Sequence, residues 1–202
     1  MSVLSKDEIE QYLNHSDPEK RLVITPILDS EKQFSPCTID LRLGTTFKVD
    51  MRTREPYIDP MHAERPIDTF FDYTYRNFGE KFLVYPGQLI IASTFEYLRM
   101  PKDLFGLLAT RSSWNRLGLS ISSIVQPGYA GVLTLELLNN SSNPIALYPG
   151  LRFVQLSLFS IQGETHIPGY ISQTASKYIA NTEPSVSNIL KDHDLEKLKS
   201  FV

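Results

Sequence analysis

Residues 110–136 read TRSSWNRLGLSISSIVQPGYAGVLTLE, placing two arginines, five serines, three glycines and one carboxylate between apolar runs. That density of polar chemistry exceeds what a simple core tolerates, so the stretch is the candidate active site. Its two ends also indicate the fold. Residues 104–109 read as a short buried strand, and residues 131–138 as a second one. Arg111, Ser112 and Ser113 follow the first strand, where free backbone N–H groups and hydroxyls suit an anion. Arg111 and Arg116 add fixed positive charge in a fork that matches phosphate oxygens. A solvated turn carrying a surface ion pair would use the same residues. In the second strand, the two-residue period puts Glu136 on the face that carries Val132 and Thr134. Burial there would raise its pKa and make it a proton carrier, while a nearby arginine would pull the pKa down. A structural Glu/Arg pair is the plain alternative.

Outward from this stretch, the pattern is mostly strand. Ser5 to Glu8 has the form of a capping box, and Ile9, Tyr12 and Leu13 supply a helical apolar stripe, so a first helix ending near Asn14 is expected. Short apolar runs at 22–27, 38–43, 81–85, 88–95, 145–147 and 153–158 read as further strands. Pro-Gly pairs beginning at Pro86, Pro127, Pro149 and Pro168 mark turns of a many-stranded antiparallel structure. Residues 51–80, with aromatics, charges and three prolines, read as a long ordered loop or an oligomer contact. Residues 139–144 read as a hairpin-type loop. Residues 188–202 look helical, with Leu195 and Leu198 as the apolar side.

The chain has 202 residues, enough for a full core, and one domain over 1–202 is expected, with 170–202 a mobile tail that could close on ligand. A formal charge of −3 gives no general attraction to nucleic acid polymers or anionic membranes, so a phosphate ligand would be held by a local basic cluster. Cys37 is the only cysteine, which excludes a disulfide framework and a cysteine-rich zinc site and fits a reducing cytoplasm. His15, His62, His166 and His193 show no metal-ligand spacing. The zinc deaminase signature is absent, and no apolar run suggests a membrane span or export signal.

With these residues in hand, the chain resembles the deoxycytidine triphosphate (dCTP) deaminase family, a branch of the deoxyuridine triphosphatase (dUTPase)-like superfamily. Six segments carry the resemblance in order: SPCTIDLRLGTTF (35–47), VYPGQLIIASTFEYLRMP (84–101), RSSWNRLGL (111–119), PGYAGVLTLE (127–136), PIALYPGLRFVQLSLF (144–159) and YISQTASKY (170–178). The resemblance implies a mainly β, distorted jelly-roll or β-barrel of the dUTPase-like type, with short N-terminal and C-terminal helices, assembled as a homotrimer with sites at subunit interfaces. It implies hydrolytic deamination of dCTP to dUTP and ammonia without zinc, with magnesium carried by the triphosphate. By position, Glu136 would be the proton shuttle, with Ser112 and Arg116 as the other catalytic residues. Arg111, Ser112, Ser113, Arg116, Gln126, Thr134, Gln155, Tyr170, Lys177 and Asn181 would contact the nucleotide, Asn181 standing where the family usually has a glutamine.

Between Leu119 and Pro127 the chain departs from the family. The usual His-x-Thr-Ala run and Ile-Asp-Pro-Gly are replaced by a loop a few residues shorter, SISSIVQPG, and Gln126 occupies the place of an aspartate. An amide cannot serve as a base. This counts against a plain dUTP diphosphatase. It leaves open a dCTP deaminase, a non-catalytic nucleotide-binding or regulatory relative, and a bifunctional enzyme releasing dUMP.

Overall fold

The capping box closes as the sequence predicts. Ser5 Oγ accepts the Glu8 amide at 3.3 Å and Glu8 Oε2 accepts the Ser5 amide at 2.7 Å, starting α1 (Lys6–Leu13), which buries Ile9 and ends at Asn14. The computed structural model describes residues 2–63, 65–162, 181–199 and 201. After α1 the chain runs through β1 (Val23–Thr25), the short helix α2 (Ser30–Gln33), β2 (Thr38–Asp50), a 3-10 turn at Ile67–Phe70 and β3 (Phe71–Tyr75). It continues as β4 (Phe82–Val84), β5 (Leu89–Arg99), β6 (Leu104–Thr110), the one-turn helix α3 (Ser112–Asn115), β7 (Leu119–Ser120), β8 (Ser122–Val125) and β9 (Ala130–Asn139). β10 (Ile145–Leu147) and β11 (Arg152–Ser160) follow, and a 3-10 turn at Ile189–Lys191 leads to α4 (His193–Lys199).

Nine strands form one antiparallel sheet in the order β7–β9–β5–β2–β11–β6–β8, with β1 added to β5 and β3 to β2. β7 and β8 stand at opposite ends of that order, yet only Ile121 separates them in the chain, so the sheet curls into a half-barrel. Its concave side is filled by Ile39, Leu41, Leu43, Phe47, Ile90, Leu98, Leu135, Phe153 and Leu156, each fully buried or within 1% of it. Each such side chain contributes about 1.5–3 kcal/mol by leaving water. The Phe47 and Phe82 rings stack at 4.2 Å, joining the main sheet to the small sheet of β4 and β10.

The mainly β curled sheet with few short helices is the architecture expected from the sequence. Four local readings change. Residues 51–80 contain β3, which pairs residues Phe71 to Tyr75 with Asp50 to Thr46; as an added strand with Asp72, Tyr73 and Tyr75 exposed, it shows little apolar alternation. Residues 139–144 do not turn the chain back onto β9, because β10 pairs with β4. The buried Asn139 amide redirects it, donating to the carbonyls of Val84 and Asn143, both at 2.9 Å. Residues 120–126 hold β8 and the end of β7 rather than a plain loop. The last helix begins at His193 rather than near 188, after the 3-10 turn, and Leu198 is exposed instead of packed.

Candidate active site

β8 and β9 are joined by Gln126-Pro127-Gly128-Tyr129, in which the Tyr129 amide donates to the Gln126 carbonyl at 3.1 Å. Gly128 takes a φ of +75°, a conformation glycine adopts without Cβ strain. The turn sends β8 to β6 and β9 to β5, so the two strands diverge. A cavity of about 620 Å³ opens between them, with Leu89, Ile91 and Leu133 on its walls. Its polar lining gathers Ser123, Gln126, Thr134 and Glu136, and Ser185, Ser187 and Ile189 return from the C-terminal part of the chain to its wall.

The register of β9 explains this placement. Thr134 pairs with Ser93 and Glu136 with Ile91, so both side chains share one face, as their spacing predicts. The face grades from buried Val132, through half-buried Thr134, to exposed Glu136. The expected burial of Glu136 is therefore not found in the single chain, because its end of the strand lies on the rim. The Thr134 hydroxyl accepts the Ser185 amide at 3.2 Å, and the Asn181 carbonyl accepts the Val132 amide at 2.9 Å, so residues 181–185 run along β9. Asn181 Nδ2 donates to Ser185 Oγ at 2.6 Å, which ties that crossing together.

A second group forms around Asp40, whose side chain is 3% exposed. Arg111 Nε lies 3.0 Å and Arg152 Nη1 3.2 Å from Asp40 Oδ2, and Gln155 Nε2 donates to Oδ1 at 3.1 Å. The Arg111 amide donates to the Phe153 carbonyl at 3.0 Å, and Trp114 Nε1 to the Arg152 carbonyl at 3.2 Å. These contacts seat α3 on β11. Ser112 and Ser113 on α3, and Arg116 at its C-terminal cap, are exposed and do not line the Glu136 cavity. The structure thus brings Gln126, Thr134 and Glu136 together with Asn181 beside them, groups Arg111 with Gln155, and leaves Ser112, Ser113 and Arg116 at the surface. Tyr170 and Lys177 lie outside the described residues.

Burial acts on the Glu96 carboxyl, pushing it up to about 6 from its ordinary 4.5. It is fully buried, accepting the Arg42 amide at 2.7 Å and Gln33 Nε2 at 3.1 Å, which offset part of the cost of its charge. A bulge turns it inward: β5 spends Ser93 to Tyr97 opposite Thr134 to Val132 of β9. Thr94 repairs the gap, accepting the Leu133 amide at 2.9 Å and donating to the Glu96 carbonyl at 2.8 Å. Neither Asp40 nor Glu96 stands out in the sequence, since each is defined by partners distant along the chain. Among the described residues, no group of three or more His, Cys, Asp or Glu is placed to hold a metal, and no helix is long and apolar enough to cross a membrane.

Residues 3–161 match the profile of the dCTP deaminase-like family. Over 200 residues the chain is 36% identical to a dCTP deaminase, dUMP-forming, of Methanobrevibacter smithii, a match covering 98% of this chain and 100% of that protein. It is 35% identical over 195 residues to a dCTP deaminase of Natronomonas pharaonis, covering 95% and 97% of the two chains. The crystal structure of 2'-deoxycytidine 5'-triphosphate deaminase from Agrobacterium tumefaciens superposes with a TM-score of 0.57 at 24% identity, covering 77% of this chain. The match spans 47% of that longer chain and shows likeness of fold.

Proposed function

The chain belongs to the dCTP deaminase-like family, and from this we propose that it hydrolyses dCTP to dUTP and ammonia, with Glu136 as the proton carrier and no zinc in the step. The observation that carries the reading is the position of Glu136 on the rim of a largely apolar cavity whose polar groups, Ser123, Gln126 and Thr134, line it beside the carboxylate. Such a slot suits a pyrimidine, with flat apolar faces and a polar edge. Water adds to C4 while its proton passes to the Glu136 carboxylate, which returns it to N3. The C4 hydroxyl of the adduct then gives its proton through Glu136 to the amino group, the C4–N bond breaks, ammonia leaves and C4=O forms. Without a metal to acidify the water, the step relies on positioning and on fixed dipoles, each able to contribute a few kcal/mol.

Ser112 and Arg116 are the residues assigned to those dipoles, and Arg111 and Ser113 to the phosphates. Because α3 lies away from the Glu136 cavity of its own chain, we place these groups in the site of a neighbouring copy within a homotrimer. Support comes from the paired, exposed Leu107 and Ile124 on β6 and β8, an apolar surface that a second copy would cover. Thr134, Gln126 and Asn181 would contact the base and sugar. Gln155 acts through Asp40, and Tyr170 and Lys177 would close on the triphosphate. Magnesium enters on the triphosphate, held mainly by phosphate oxygens.

A second reading, deamination followed by release of dUMP and diphosphate, is favoured by the dUMP-forming relative. Since Gln126 takes no proton, that second hydrolysis would need another base. Incubation with dCTP and magnesium, followed by separation of the nucleotides, decides between them. dUTP as product supports the first reading, and dUMP with diphosphate supports the second. Intact dCTP beside measurable nucleotide binding would overturn both in favour of a non-catalytic regulatory protein.

A further inference from the structure

Behind the wall of the Glu136 cavity lies another, of about 380 Å³, that deamination leaves unused. Ile67, Ser185 and Ser187 line both. The register of the sheet explains why the two stand back to back. Tyr73 of β3, Lys48 of β2, Ile91 of β5 and Glu136 of β9 are successive cross-strand partners, so their side chains leave one face of the sheet. Ile91 and Glu136 line the first cavity, and Lys48 lines the second.

The second cavity has the chemistry of an anion site. Lys48 contributes an ammonium from the sheet and Lys191 another from the 3-10 turn, against Asp68 as the only acid in the lining. Among the described residues, no ion pair engages either lysine. The hydroxyls are also set to donate. Ser185 Oγ already accepts from Asn181 Nδ2 at 2.6 Å, and Ser187 Oγ from the Ile189 amide at 3.2 Å, so each has its own O–H proton to give. Two ammonium groups and two donor hydroxyls around a concave space match tetrahedral phosphate oxygens.

We propose that this second cavity binds a phosphoryl group through Lys48, Lys191, Ser185 and Ser187. Because Ser185 and Ser187 belong to both cavities, an occupant fixes the wall of the Glu136 cavity and couples the two sites. The proposal is independent of the deamination reading, since binding can be measured whether or not dCTP turns over.

The probe is inorganic diphosphate, titrated calorimetrically into the full chain at low and high salt. Binding should weaken with salt and fall about tenfold or more in K48M/K191M, while K48R/K191R retains it. An unchanged melting temperature confirms that the methionine variant folds. dCTP and deoxycytidine then separate the sources of the phosphate. If diphosphate competes with dCTP, and the methionine variant weakens dCTP but not deoxycytidine, the cavity takes the nucleotide's own phosphates. If the methionine variant binds dCTP as the unmodified chain does, and diphosphate shifts the dCTP affinity of the unmodified chain without displacing the nucleotide, the cavity takes a separate phosphate-bearing ligand coupled to the first site. Either result supports the site. No diphosphate binding to the unmodified chain at millimolar concentration, or equal binding to it and the methionine variant, would overturn it.

Discussion

Asp40 Oδ2 and Arg111 Nε meet at 3.0 Å, the carboxylate almost fully buried and the guanidinium about a third exposed, with Arg152 sharing the same oxygen at 3.2 Å. The pair fixes where α3 leaves the sheet. Asp40→Ala should therefore cost about 2 kcal/mol, moderated because the freed arginines can rehydrate, whereas Arg111→Met, which leaves Asp40 paired with Arg152 and Gln155, should cost about 1 kcal/mol. Denaturant unfolding measures both. Trp114, the only tryptophan, lies 5.3 Å from Phe153 and reports the local effect. Its emission should move to longer wavelength in the Asp40 variant.

Glu136→Gln should lower kcat for dCTP by about 10²–10⁴-fold, the usual contribution of a positioned acid–base group. Nucleotide affinity should stay within a few-fold, because the amide keeps the size and hydrogen-bonding reach of the carboxylate. Equal loss of binding and turnover would remove Glu136 from the chemistry.

Burial of Glu96 makes stability depend on pH in a direction that can be checked. Its folded pKa, about 6, exceeds the ordinary 4.5, so between those values the folded state holds more proton than the unfolded one. Stability therefore falls as pH rises through that window, by about 2 kcal/mol in all. Thermal unfolding from pH 4 to 7 should show this slope against the general trend of the other carboxylates, and Glu96→Gln should abolish it. Gln33 Nε2 already donates to Glu96 Oε1 at 3.1 Å, so the variant's own amide loses that contact while keeping the one from Arg42.

Gly131 has a φ of +145°, and a Cβ there would stand 3.1 Å from both the backbone nitrogen and oxygen of Asn181. Gly131→Ala should displace residues 181–185 from β9 and destabilise that contact by about 1–3 kcal/mol. Hydrogen exchange reads it directly. The Val132 amide, which donates to the Asn181 carbonyl, should exchange faster, while the amides on the β5 side of β9 keep their protection.

Local signals in the sequence account for much of this fold. The Ser5 and Glu8 cap, the alternation of β9 and the Pro-Gly turns at Pro86, Pro127 and Pro149 each depend on residues close in the chain, and each appears where expected, while Pro168 lies outside the described residues. Of the candidate site, the part that lies close in the chain was legible: Gln126, Thr134 and Glu136 follow one another across the turn from β8 to β9 and line one cavity, whereas Ser112 and Arg116 lie apart from it. Contacts between distant segments were not legible. Gln33 with Glu96, and Asp40 with Arg111 and Gln155, are brought together only by the curl of the sheet, and a polar residue inside an apolar strand does not reveal which face it takes. β3 and β8 carry a weak strand signal, because the exposed tyrosines of β3 and the consecutive serines that open β8 hide the two-residue period that identifies a strand.

The single residue between β7 and β8 gives the half-barrel a covalent clasp. Its two end strands are held together by the main chain itself, with buried Ile121 as the link, so the circumference is set by chain length as well as by hydrogen bonding. An insertion between Ser120 and Ser122 would not lengthen a passive surface loop. It would loosen the curl beside the Glu136 cavity, which β8 lines, so the length of this short connection bears directly on the width of that cavity.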